Sequence, residues 1–173
     1  MVSFAGYPLG GYAALLLTGR VDGPAPALAG GLLTGAILGA IQVWALGRAR
    51  PHPWAWVLAT AVGLMVGVAA GAALVDYRTD LGSLVVQGAV AGTLTGIVQA
   101  VVLVPRLGAR ALLWPPYLGG AYAIGWAVTT SAGIDVDRQF TVFGASGALV
   151  VVVLTTVLPL VLGVRRGAEE RTS

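Results

Sequence analysis

The sequence predicts an all-α, polytopic membrane protein: six transmembrane helices forming three parallel-repeat helical hairpins with pseudo-threefold symmetry. Three observations predict it. Hydrophobic residues fill 57% of the 173 positions and charged residues only 10%, too little polar material for the surface of a soluble domain. The charges gather in short islands between apolar runs. Finally, Gly31, Gly35, Gly39 and Gln42 spell GxxxGxxxGxxQ, and Gly88, Gly92, Gly96 and Gln99 spell it again 57 residues later, with a worn third copy at Gly144, Ala148, Val152 and Thr155. Such self-similarity is the mark of a repeat architecture.

A bilayer core needs roughly 20 apolar residues per helix, and six segments qualify, at about 3–19, 27–47, 54–75, 82–104, 111–133 and 140–163. The first is apolar from Met1, with no basic region before it and no A-x-A-like site after it, so it reads as a transmembrane helix rather than a cleaved signal peptide. It has only Val2 to spare, which implies either a blunt first helix or a start upstream. Connections such as Gly23-Pro24-Ala25-Pro26, Pro51-His52-Pro53 and Pro105 to Arg110 are short and rich in turn residues, so consecutive helices are antiparallel neighbours. The chain divides into one transmembrane domain, 1–164, with hairpins at about 2–50, 51–108 and 109–164, and a short tail, 165–173.

Loop charges set the orientation. Arg48, Arg50, Arg106, Arg110, Arg165, Arg166 and Arg171 follow even-numbered spans, whereas Arg20, Arg78 and Arg138 follow odd-numbered ones beside aspartates. Seven arginines against three place the arginine-rich side, and both termini, in the cytoplasm. Trp44, Trp54, Trp56 and Trp114 lie near that side, where tryptophan prefers the headgroup level. Trp126 falls mid-span. All ten basic residues are arginine, and Ala, Gly and Val are heavily used, which suggests the coding bias of a GC-rich bacterium and hence its cytoplasmic (inner) membrane.

The small residues have a packing role. Glycines four apart stack on one helix face, and Gly31, Gly35 and Gly39, with Gly88, Gly92 and Gly96, form grooves that let helix backbones approach. Gly63, Gly67 and Gly71 form a similar ladder in the third span. Gln42 and Gln99 lie on the glycine face, so they point into the bundle. Their amides are either interhelical glue or, with Thr155 or Thr156 as third member, a polar ring in the cytoplasmic half. Asp22, Asp76, Asp80, Asp135 and Asp137 form an outer acidic cluster, read either as loop caps and ion pairs or as a cation-attracting mouth.

The segments Gly35-to-Trp56 and Gly92-to-Trp114 carry a GxxxGxxQ helix, a following leucine (Leu46 and Leu103), a short basic loop and a tryptophan. This pattern resembles small, uncharacterised bacterial multi-pass membrane proteins with repeated GxxxGxxQ helices. The resemblance covers roughly the middle half of the chain and implies an architecture, since no activity is assigned to those proteins.

Catalysis finds little support. The single histidine, His52, lies between prolines with no carboxylate in its loop, and no acid, histidine or lysine lies within a span. Ser83, Ser131 and Ser146 have no evident activating base. Without cysteine, thiolate metal sites and disulfides are excluded. No cofactor motif occurs, and a net charge of +3, dispersed along the chain, does not suggest nucleic acid. The expectation is a non-enzymatic helix-packing accessory or assembly subunit of a membrane complex or homo-oligomer, in contact with the lipid bilayer. The alternative is a small channel or transporter for a neutral or cationic solute along the pseudo-threefold axis.

Overall fold

Lipid tails are as apolar as leucine, so helices immersed in them gain little from hydrophobic association and depend on close backbone packing. The computed structural model of the chain describes residues 2–46, 51–132, 147–148 and 150–155. Five helices follow one another: α1 (Val2–Thr18), α2 (Pro24–Leu46), α3 (Pro53–Leu74), α4 (Leu81–Leu107) and α5 (Trp114–Ser131). A 3-10 segment, Gly108–Leu113, joins α4 directly to α5, and residues 147–148 and 150–155 are also helical. No strand occurs among the described residues. The expected sixth span at 140–163 is described only at those helical positions, and Gly144 lies outside them.

Prolines move two boundaries away from the sequence expectation. α2 begins at Pro24, within what reads as a loop, because a proline in the first turn gives up an N–H that has no helical partner anyway. Pro53 opens α3 in the same way. α4 continues through Pro105 and Arg106 to Leu107, beyond the expected end at 104, and closes with the Gly108 N–H on the Val104 carbonyl. Gly108 takes φ +54, which glycine adopts without steric cost. The chain reverses there.

Contact order along the helices shows how they lie. Gly31 meets Leu64, Gly35 meets Ala61 and Gly39 meets Val57, so numbers rising on α2 meet numbers falling on α3. The same descent holds for Gly63, Gly67 and Gly71 against Thr95, Ala91 and Gln87, and for Gly88, Gly92 and Gly96 against Tyr122, Leu118 and Pro115. Gly6 and Gly10 of α1 lie on Leu38 and Thr34 of α2. Each of α1 to α4 is therefore antiparallel to its successor and lays its own glycine row upon it. The fit leaves no room for a methyl group. A Cβ at Gly35 would lie 2.6 Å from the Ala61 Cα, and one at Gly96 2.6 Å from the Pro115 Cα; backbone atoms cannot turn aside as a side chain would.

One apolar cluster fills the interior, with Tyr7, Leu38, Leu64, Val68, Leu84, Leu118, Tyr122, Trp126 and Val151 among its buried members. Tyr7 and Tyr122 meet edge to face with centroids 6.1 Å apart, bringing α1 to α5. Trp126 lies across Gly88, which explains a tryptophan turned into the bundle. The exterior is apolar as well, with Leu16, Leu17, Leu58 and Val101 all exposed. Among the described residues, three helical runs are long and apolar enough to cross a membrane: Pro24–Ala45, Pro53–Leu74 and Leu81–Ser131, the last folding back at Gly108. Only 39–50% of each apolar window is buried within the fold, so the remainder needs an apolar environment such as lipid.

The backbone contacts predict an asymmetric response to mutation. Gly35→Val should cost about 1–3 kcal/mol or more through overpacking. Gly120→Ala, exposed and with nothing within 4 Å of the added methyl, should be neutral or gain up to about 1 kcal/mol of helix propensity. Thermal denaturation of the detergent-solubilised variants, followed by size-exclusion chromatography, measures both.

Candidate functional site

Gln42 lies one turn before the end of α2, and Gln99 about two turns before the end of α4. Each faces a tryptophan at the start of the next helix. The Trp56 indole Nε1–H donates to Gln42 Oε1 at 2.9 Å, and the Trp114 Nε1–H donates to Gln99 Oε1 at 2.8 Å. Gln99 then donates from Nε2 to Thr60 Oγ1 at 2.9 Å, and Thr60 donates to the Trp56 carbonyl at 2.8 Å. The result is a continuous chain of donors and acceptors from α5 through α4 and α3 to α2.

The direction of the chain follows from chemistry. An indole nitrogen can only donate, so each glutamine must turn its carbonyl oxygen toward the tryptophan. The Gln99 amide nitrogen is left to donate, and the Thr60 hydroxyl accepts with a lone pair while giving its proton to a carbonyl. Gln99 is 2% exposed, Thr60 0% and Trp56 5%, whereas Gln42 is half-buried. An unpaired polar group in hydrocarbon costs several kcal/mol, so the closed chain removes a large penalty even where each bond adds little.

The third copy of the motif differs. Thr155 donates to the Val151 carbonyl one turn back, at 2.7 Å, so its hydroxyl serves its own helix. Thr156 lies outside the described residues. No tryptophan occurs in 156–173, and threonine stands where no indole follows. Tyr117 makes the link from α5 to this last segment, donating its hydroxyl proton to the Leu154 carbonyl.

Besides the threonines Thr34, Thr60 and Thr95 and the capping Ser83, two further buried polar residues among those described stand apart from the glutamine–tryptophan chain. Gln87 in α4 is 5% exposed, and Thr129 in α5 is 1% exposed with no partner for Oγ1 among the described residues. Trp56 and Trp114, read as headgroup anchors, are instead turned inward as hydrogen-bond donors. Trp44 and Trp54 are the exposed rings, at 70% and 79%. The signal for the inward pair was present: each glutamine is followed 14 or 15 residues later by a tryptophan, at matched distances across a turn.

The acidic island between α3 and α4 is built as a turn and a cap. Asp76 and Tyr77 have φ +52 and +56, uncommon for residues with a side chain. Their N–H groups close α3 on the Ala73 and Ala72 carbonyls, and Arg78 donates Nε–H to the Val75 carbonyl at 3.1 Å. Asp80 caps α4, accepting from the Ser83 N–H at 3.0 Å and from its hydroxyl. Those two bonds, the hydroxyl's first, hold the exposed Asp80 carboxyl below its ordinary range, with Arg78 adding to the effect. Asp22 is exposed in the separate turn after α1, and Asp135 and Asp137 lie outside the described residues. Among the described residues, no three His, Cys, Asp or Glu side chains gather as a metal site would require. His52 precedes α3 and makes no side-chain cap.

Comparison of the chain with protein-family models, with curated proteins and with solved structures finds no match.

Two outcomes follow from this geometry. In a double-mutant cycle, Gln99→Leu and Trp114→Phe should couple by about 0.6–2 kcal/mol, read from denaturation in mixed micelles. Gln99→Leu should cost more than Gln42→Leu, because it opens two bonds of the chain. For Asp80, a folded-state pKa below the unfolded one means the cap stabilises α4 above the ordinary carboxylate range and is lost as pH falls through the lowered value. Asp80→Asn should flatten the acid limb of a stability-against-pH curve; an unchanged limb would exclude the cap as its source.

Proposed function

We propose that this chain is a non-enzymatic, multi-pass protein of the bacterial cytoplasmic membrane: six helices in three parallel hairpins, both termini cytoplasmic, serving as a helix-packing accessory or assembly subunit. The observation that supports it best is the closed hydrogen-bond chain from Trp114 to Gln42. Amides lining an open pathway would keep a donor or acceptor for a passing solute. Here the Trp114 and Gln99 groups are spent on neighbouring helices, the Thr60 hydroxyl accepts from Gln99 while donating within its own helix, and the centre of the fold is filled by apolar side chains.

The glycine rows bear on how such a subunit meets others. Gly31, Gly35, Gly39, Gly63, Gly67, Gly71, Gly88, Gly92 and Gly96 are all occupied by helices of the same chain. A second copy or another subunit therefore meets an exterior of leucine, valine and tryptophan.

The alternative, a channel or transporter for a neutral or cationic small solute along the pseudo-threefold axis, draws its support from Thr129. A fully buried hydroxyl lacking a partner among the described residues is what a solute-binding passage would need. Reconstitution separates the two readings. The accessory role predicts stable co-purification with another membrane component, or a defined homo-oligomer in mild detergent, and no solute flux in liposomes. Flux from the purified chain that Thr129→Val abolishes would overturn it. The paired substitution Gln42→Leu with Gln99→Leu should lower the yield of folded protein; intact expression would favour the pathway.

A further inference from the structure

We draw no further inference here: the strongest candidate, the side-chain cluster of Thr129 with Gly125 and Gly147 where α5 crosses the last helical segment, belongs to the alternative reading already given, and nothing among the described residues shows what its buried hydroxyl would bind.

Discussion

Two helices whose backbones touch cannot both carry side chains at the crossing, and the rest of this structure depends on that condition. With Gly35 seated on Ala61 and Gly67 on Ala91, neighbouring helices approach until main chain meets main chain. Dispersion contacts are individually small but numerous at such a distance. The approach also decides which polar groups can meet. Only when α3 and α4 are this close can the Gln99 amide reach the Thr60 hydroxyl at 2.9 Å. The polar chain depends on the glycine contacts and could not exist without them.

The two devices work in different directions. Glycine rows fix the distance between helices but tolerate sliding, because a smooth groove looks much the same one turn along. A hydrogen bond between Trp114 and Gln99, or between Trp56 and Gln42, holds at a single register. Directional bonds thus supply the specificity that a small-residue face lacks. The cost of leaving a buried indole or amide unpaired makes any slipped register unfavourable. The Asp80 cap and the Gly108 reversal set where α4 begins and ends, so register at the Gln99 level is supported from both ends of the helix.

Much of this was legible in the residues, and the limits are physical. Helical character and the antiparallel order of neighbours follow from apolar run length and short turns, and the described helices agree with both. Which helix each glycine row touches was not legible. A row of glycines states that something approaches closely, but it contains no side chain to identify the partner. The glutamines showed the same limit: their position on the glycine face was readable from helical spacing, whereas the Trp56 and Trp114 partners required knowing that those rings turn inward. Tryptophan near a helix end is compatible with headgroup anchoring or with indole donation to a neighbour, and Trp54 and Trp56, two residues apart, do one each. Thr60 carried no signal at all, since a threonine within an apolar helix most often bonds its own preceding turn, as Thr95 and Thr130 do here.

The glycine rows have a polarity of their own. In α1 through α4, each row is turned toward the helix that comes later in the chain, never toward the one before. During synthesis, a helix that has just left the ribosome therefore presents an empty groove on the side where its successor will arrive. Growth of the bundle can proceed one helix at a time, with each newcomer meeting a finished docking face and bringing the next. Nearly every close contact is made between consecutive segments, a pattern associated with rapid assembly. Among the described residues, the edge-to-face meeting of Tyr7 with Tyr122 departs from that pattern. It joins the first helix to the fifth and has to wait until most of the chain has been made.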